Sequence, residues 1–306
     1  MHGLHPSSPA QCIFESLTLD KVRKFDGEGN LQRRLSLVKS RRTPYLEPTM
    51  TNYEARFGGI RRLFGVDGQE RLRRAHVCVI GIGGVGSWAV EALARTGVGT
   101  LTLVDLDDVC IGNVNRQLHA VTGEFGKPKI EVMASRVKLI NPDGVVHARQ
   151  MLFTAKTADE ILAPQFDCVL DAIDDRPLKA LLIARCCERK LPIVTTGGAG
   201  GRRDPTAIRT ADLARTTHDG LLANVRQLLR AEYGFPRDQR QNFGVPCVYS
   251  PEAQVFPASD GSVCEEREPG STLRLDCRSG YGTATFVTGA FGFAAAAQVV
   301  KRVVEK

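Results

Sequence analysis

No Cys-x-x-Cys pair occurs in the 306 residues, although nine cysteines do. Most structural zinc sites are built on that spacing, so a zinc ribbon is disfavoured as the organising unit. The cysteine count is odd, and no apolar leader core opens the chain. A secreted disulfide scaffold is therefore disfavoured, and reduced thiols in a cytoplasmic protein are expected. No internal repeat is visible, which argues against a solenoid. Aromatic residues are scarce, at 6% with a single tryptophan, and there is no long block of like charge. The net charge of +7 permits a polyanionic partner without requiring one. The remaining composition, 42% apolar and 25% charged residues, is ordinary for a globular chain able to bury a sizeable core.

One stretch lacks charge altogether. From Ser279 to Val300 there is no ionisable side chain of the Asp, Glu, Lys or Arg type, with Arg278 and Lys301 at its bounds. That length could cross a bilayer. Its richness in Gly, Ala and Thr instead predicts a helix packed closely inside the protein, and membrane contact is disfavoured. At the other end, residues 1–49 lack a sustained apolar period and carry 8 Lys and Arg against 5 Asp and Glu. They are expected to be a disordered N-terminal extension. Residues 50–306 are expected to form a single nucleotide-binding domain, its substrate-binding part lying at about 202–280.

The densest signal begins at Val77. Val77 to Ile80 reads as a buried strand, followed by Gly81, Gly83 and Gly86 in a G-x-G-x-x-G turn. Gly84 lies inside the same turn. A helical apolar pattern continues through Val90, Leu93 and Ala94, and a second strand, Leu101 to Val104, ends in Asp105. Strand, glycine turn, helix, strand and acid make a nucleotide-binding βαβ unit. The bare fingerprint does not choose between a nicotinamide dinucleotide and ATP.

The residues downstream of Asp105 separate the two. Asp107, Asn113, Arg116 and Lys129 form a polar and cationic set, and Asp171 and Asp174 end a later strand, Cys168 to Asp171. Cations beside a carboxylate suit a nucleoside triphosphate with Mg2+, because Arg and Lys neutralise phosphate oxygens and a carboxylate holds the hydrated metal. Hydride transfer has no need of them, so a dehydrogenase is disfavoured. Alternating elements continue through a helix from Lys129 to Ile140, a strand at Val145 to Ala148, a helix carrying Leu178, Leu182 and Cys186, and a strand at Leu191 to Thr196. That alternation predicts an α/β fold: a Rossmann-like, doubly wound, mainly parallel sheet with a smaller C-terminal α/β extension. In the extension, Ile208 to Leu213, Val245 to Ser250 and Ala253 to Phe256 are strand-like, Leu221 to Glu232 is helical and Pro269 to Gly282 reads as a loop. Gly68 to Ala75 reads as a short helical lead-in to the first strand.

These motifs resemble the ubiquitin-activating-enzyme-like adenylyltransferases of molybdopterin and thiamine pathways. The likeness rests on Gly81-x-Gly-Gly-x-Gly86, Val104-Asp-x-Asp107, Asn113-x-x-Arg116-Gln, Gly126-x-Pro-Lys129, Ile140-Asn-Pro142 and Leu170-Asp-x-x-Asp174. A closer resemblance covers nearly all of 53–301. Arg56-Phe-Gly-Gly59, Thr195-Thr-Gly-Gly-Ala-Gly-Gly201, Cys247-Val-Tyr-Ser250 and Phe256-Pro-x-Ser-Asp-Gly261 are similar to the tRNA threonylcarbamoyladenosine dehydratases. Those enzymes use ATP to cyclise the threonylcarbamoyl group of the adenosine beside the anticodon, giving a hydantoin.

By that resemblance, Gly84 and Asp105 hold adenosine and ribose, and Gly112 to Arg116 contact phosphates and ribose. Lys129 meets the phosphates and Asp174 binds Mg2+. The resemblance also implies a homodimer whose N-terminal arm lends an arginine to its partner's phosphates. That family position falls on Gly59 here, so Arg56, Arg61 and Arg62 are the candidates to replace it, with Arg62 taken forward. Arg202, Arg203, Arg226, Arg230, Arg237 and Arg240 are the candidates for a tRNA face. Proteins of a cysteine-desulfurase pathway are further candidate partners. The alternative activity is adenylation of the C-terminus of a ubiquitin-like sulfur carrier, weakened by the absent Cys-x-x-Cys pairs. A binding protein without catalysis is disfavoured by the complete phosphate and metal set. Cys247 and the adjacent Cys186 and Cys187 are expected to be buried thiols, and His119 an ordinary histidine that could approach the phosphates.

Overall fold

The computed structural model describes residues 53–266 and 281–305. The expected extension at 1–49, most of the expected loop at 269–282, and Cys12 and Cys277 lie outside the described residues.

Helix α1 (Tyr53–Arg74) leads into strand β1 (His76–Ile80), helix α2 (Gly84–Arg95) and strand β2 (Thr100–Val104). Then come α3 (Lys129–Ile140), β3 (Val145–Arg149), the single turn α4 (Ala158–Ile161), β4 (Cys168–Asp171), α5 (Arg176–Glu188) and β5 (Ile193–Thr196). The C-terminal part contributes β6 (Arg209–Asp212), α6 (Gly220–Glu232), β7 (Pro246–Tyr249), the two-residue strands β8 (Phe256–Pro257) and β9 (Val263–Cys264), and α7 (Thr285–Val304).

Seven strands form one sheet in the order β3-β2-β1-β4-β5-β7-β6. All neighbours are parallel except β6, which runs antiparallel to β7 at the edge. The chain reverses its direction of winding at β1, between β2 and β4, so the ligand crevice falls at the carboxyl ends of these strands. The register is level there. Ile80 pairs with Val104 on one side and Asp171 on the other, and Asp171 pairs with Thr195. The predicted C-terminal extension takes the form of β6, α6 and β7 added to this sheet, with β8 and β9 paired separately.

The central strands are apolar on both faces, as a covered parallel sheet requires. Val77, Val79, Leu101, Leu103, Leu170 and Val194 pack beneath α2, α3 and α7. Cys78, Ile80, Val104 and Val169 pack beneath α4, α5 and α6.

Helix α7 fills the role predicted for the uncharged stretch. It is long and apolar enough to cross a membrane by length and composition, yet 56% of its most apolar window is buried inside the protein. Its small residues explain its depth. A Cβ on Gly292 would sit 2.6 Å from the Val85 carbonyl oxygen and 2.7 Å from Trp88 Cβ on α2. Only glycine permits that approach.

Two predicted elements differ. The lead-in at Gly68 to Ala75 is the end of a much longer helix, α1, broken at Phe57 and at Gly65, where φ is +77°. Its first turn is held by tertiary contacts: Tyr53 and Phe57 are buried, and the Tyr53 hydroxyl donates to Gly97 O at 2.5 Å. The strand expected at Ala253 to Phe256 is reduced to Phe256–Pro257, paired with Val263–Cys264.

Candidate active site

The glycine turn sits where the three central strands end. Gly81 N–H donates to Val104 O at 2.9 Å, and Ala172 N–H donates to Ile80 O at 2.9 Å. Gly81 has φ +91°, and a Cβ there would meet Ala172 O at 2.7 Å. A Cβ on Gly86 would lie 1.8 Å from Gly81 O, so helix α2 begins in contact with its own turn. Gly83 is the N-cap residue of α2 and brings no capping side chain. The first amide N–H groups of the helix therefore lack a side-chain acceptor, the arrangement that receives an anion. Gly84 opens the helix beneath Arg116 and Thr288, whose Cγ and Cγ2 atoms would lie 3.5 and 3.2 Å from a Cβ there.

Asp105 ties this turn to β2. One carboxylate oxygen accepts from Ile82 N–H at 2.6 Å, the other from Asp107 N–H at 2.9 Å. Burial pushes its carboxyl pKa up, partly offset by the Lys129 charge and these N–H donors. Lys129, only 5% exposed, directs its Nζ to Asp107 Oδ2 at 2.7 Å.

The segment after β2 folds as a short 3-10 turn, Ile111–Asn113. Asn113 is buried, and its side-chain oxygen accepts from Cys110 N–H at 3.0 Å, which commits that oxygen to the turn. Arg116 folds its guanidinium back on Gly112 O at 2.7 Å and Asn115 Oδ1 at 3.1 Å. Beside it, Gln117 Oε1 and both ring nitrogens of His119 are buried without a partner among the described residues. Burial, and after it the Lys129 charge, lowers the His119 pKa to about 4, so its ring is neutral near pH 7. Gln117 enters the sequence reading only as the last member of the Asn113-x-x-Arg116-Gln motif, with no role assigned to it.

The two carboxylates after β4 have different environments. Asp171 is fully buried. It accepts from Lys179 Nζ at 2.9 Å, Thr195 Oγ1 at 2.6 Å and Ile173 N–H at 3.0 Å. It is a structural anchor. Asp174, three residues on, is exposed and has no hydrogen-bond or ion-pair partner among the described residues. Asp175 caps α5 through Leu178 N–H at 3.0 Å. Lys179 is a buried structural partner that the motifs do not reveal, although a lysine on the apolar face of α5 with Leu182, Ile183 and Cys186 is a visible anomaly.

The glycine run after β5 is pinned. Gly198 N–H donates to Asp219 Oδ2 at 2.9 Å, and Arg202 donates through Nε to Gly198 O at 2.8 Å. Arg202 also bonds Asp219, His218 O and Glu252 O, with its side chain at 0% exposure. The expectation for Arg202 is thereby corrected: it belongs to the scaffold and not to an exposed tRNA face. Arg226 is half-buried on Thr216, and Arg230 lies 5.1 Å over the Phe243 ring. Arg240 pairs with Asp238 at 3.3 Å, whereas Arg203 and Arg237 are exposed with uncommitted guanidinium groups among the described residues.

Of the arm arginines, Arg61 pairs with Glu54 at 3.5 Å and Arg56 donates to Ile140 O at 3.3 Å. Arg62 is exposed and makes no such contact among the described residues. Cys247 and Cys186 are fully buried, and burial raises both thiol pKa values, so neither is poised as a nucleophile. Cys187 is partly buried, with its pKa also raised. Among the described residues there is no cluster of three His, Cys, Asp or Glu side chains to hold a metal.

A family profile described as the ThiF family matches residues 59–306. The chain belongs to the ThiF family. Within it, the Haemophilus influenzae tRNA threonylcarbamoyladenosine dehydratase is 47% identical over 83% of this chain and 95% of its own length. The Escherichia coli K12 enzyme of the same name is 46% identical over the same shares. A solved E. coli tRNA N6-threonylcarbamoyladenosine dehydratase, in complex with ATP, superposes with a TM-score of 0.73 at 43% identity, covering 82% of this chain and 95% of that one. The E. coli sulfur carrier protein ThiS adenylyltransferase is 36% identical over 44% of the chain. The ThiF family likeness thus extends across α6, β7 and α7, and the dehydratases match 83% of the chain where the sulfur-carrier enzyme matches 44%.

Proposed function

We infer that this protein is an ATP-dependent tRNA threonylcarbamoyladenosine dehydratase, which closes the linear threonylcarbamoyl group of tRNA to its cyclic hydantoin. The observation that carries this reading is the likeness to the dehydratases over 95% of their length, joined to a glycine turn whose helix start is free to receive phosphate. The sulfur-carrier reading is less well supported, because the E. coli ThiS adenylyltransferase matches 44% of this chain where the dehydratases match 83%.

The chemistry is governed by charge. The threonyl carboxylate attacks the α-phosphorus of ATP, and the bond to the bridging oxygen breaks, so pyrophosphate leaves. The mixed anhydride that results makes a poor electrophile into a good one. A carbamoyl nitrogen then attacks the activated carbonyl, loses its proton and expels AMP. The net change is one water removed from the nucleoside, its oxygen ending on AMP. Ring closure is intramolecular, so holding the reactive conformer supplies much of its rate.

Within that reading, Gly81, Gly83, Gly84 and Gly86 shape the phosphate turn, and Asp105 and Asn113 position the nucleoside side. Lys129, held by Asp107, and Arg116 offset charge developing on the phosphates. The free carboxylate of Asp174 suits a hydrated Mg2+ held mainly by phosphate oxygens, which needs few protein ligands. That ion would supply charge neutralisation on the transferred phosphate. Arg62 is the arm residue free to reach a partner's phosphates.

A homodimer is supported by apolar surface beside the site. Val114 and Phe286, 52% and 59% exposed, flank the Asn115–Thr285 hydrogen bond, and Phe293 is 49% exposed against Trp88. The protein acts on tRNA in the cytoplasm under this reading, with Arg203 and Arg237 as its uncommitted surface cations.

The test is nucleoside mass spectrometry. Purified protein, ATP, Mg2+ and tRNA bearing the linear nucleoside are incubated and digested mildly. ATP-dependent loss of one water from that nucleoside is expected. No loss, with intact tRNA and folded protein, overturns the reading.

A further inference from the structure

We propose that Tyr281 and Phe256 form the platform on which the purine of the modified adenosine stacks while its carboxylate is adenylated. The assignment rests on the dehydratase reading and names the substrate subsite of that same centre.

A strip of chain along the carboxyl edge of the sheet joins the nucleotide turn to the pinned glycine run. At one end, Thr288 Oγ1 donates to Arg116 O at 3.1 Å while its methyl group lies against Gly84. In the middle, Asn115 Nδ2 donates to Thr283 O at 2.8 Å. At the other end, Gly201 N–H donates to Gly282 O at 2.8 Å. Tyr281 stands where this strip meets the glycine run.

The glycines there make room for its ring. A Cβ on Gly200 would lie 2.8 Å from Tyr281 Cβ, and one on Gly201 would lie 3.1 Å from Tyr281 Cδ1. Gly201 also has φ +72° and would clash with Val255 O at 2.6 Å, so no other residue fits. The Phe256 ring lies 5.6 Å from that of Tyr281, tilted by 46°. The aromatic residues that build the core are sealed, as Phe291 at 0% and Phe153 at 2% show. Tyr281 and Phe256 are only half-buried.

The support beneath them is stiff. Arg202 fixes Gly198 to Asp219 and Glu252, and Gln254 Nε2 donates to Gly200 O at 2.9 Å. The same frame sets Arg203, whose backbone N–H donates to Glu252 Oε1 at 2.9 Å while its guanidinium is free among the described residues. A rigid aromatic pair beside an uncommitted arginine is the combination that receives an unstacked RNA base and its phosphate. The purine carries its threonyl carboxylate on a short tether. Fixing the base therefore fixes how that carboxylate approaches the α-phosphate at Gly83 and Gly84.

The test uses the full chain with ATP, Mg2+ and an anticodon stem-loop bearing the linear nucleoside. Tyr281→Leu is expected to lower kcat/KM for the RNA by about 10- to 100-fold, the range for losing one base stack. Tyr281→Phe, which keeps the ring, should stay within about twofold of wild type, and neither change should move the Kd for ATP. Phe256→Leu, read in the same way, carries the test if Tyr281→Leu does not fold. RNA kinetics unchanged in the leucine variants, or ATP affinity falling by the same factor, would overturn the platform. A wild-type chain that forms no cyclic product overturns the dehydratase reading itself, and the platform with it.

Discussion

Lys179 Nζ lies 2.9 Å from Asp171 Oδ2, and neither side chain has any exposed surface. A desolvated pair of this kind is costly to break from one side, because the survivor keeps a buried, uncompensated charge. Lys179→Met is expected to destabilise the fold by about 3–5 kcal/mol. Adding Asp171→Asn should recover part of that loss. Urea unfolding of the two single variants and the double variant measures the coupling directly.

Asp174 should behave in the opposite way. It is exposed and unpartnered among the described residues, so Asp174→Asn should leave the unfolding free energy within about 0.5 kcal/mol of wild type. ATP turnover should nevertheless fall by at least about 100-fold if this carboxylate holds the metal at the phosphates. Stability by urea titration and pyrophosphate release separate the two effects. Equal turnover in variant and wild type removes Asp174 from the site.

The turn glycines divide in the same manner. Gly86→Ala would force a methyl group to within 1.8 Å of Gly81 O, and the variant should fold poorly or lose several degrees of Tm. Gly83→Ala meets nothing nearer than Gln117 Nε2 at 4.0 Å, so its fold should survive. Its ATP affinity should drop, because the methyl group occupies the approach to the free N–H groups of α2. Thermal unfolding set against ATP titration tests this, and a Gly83→Ala protein with native affinity would show that phosphate binds elsewhere.

His119 makes stability depend on acid. Its folded-state pKa of about 4 lies below the ordinary value of about 6.5, so protons favour the unfolded chain. The stability in question is complete above about pH 6.5 and is lost as pH falls from there toward 4. The cost reaches roughly 3 kcal/mol at the lower end. Urea midpoints measured across that window should slope less steeply for His119→Gln than for wild type. Parallel slopes would mean that His119 is solvated and ordinary.

The nucleotide-binding core is legible in the sequence because its signals are local. Four apolar residues, a glycine turn, a helical period and a terminal acid state β1, α2, β2 and Asp105 within thirty residues. The features that escape depend on distance along the chain. Helix α1 contains Gly58, Gly59, Gly65 and Gly68, a poor helical composition. It forms because Tyr53 and Phe57 pack against the Gly97 region. Charge alone groups Arg202 with surface arginines, while the partners that bury it, Asp219 and the carbonyls of His218 and Glu252, are distant in sequence. Asp171 and Asp174 look equivalent until Lys179 and Thr195 claim the first.

Helix α7 has a consequence for how the protein is made. It seats Gly292 against Val85 and Trp88, and its Thr288 against Arg116, yet it comes after every strand of the sheet in the chain. The face of α2 that carries the glycine turn therefore stays bare of its own cover while the ribosome still holds α7. Closing so long a loop is slow, and the open face is sticky in the meantime. The glycine turn and the helix that covers it are complete only once α7 has been made and has docked.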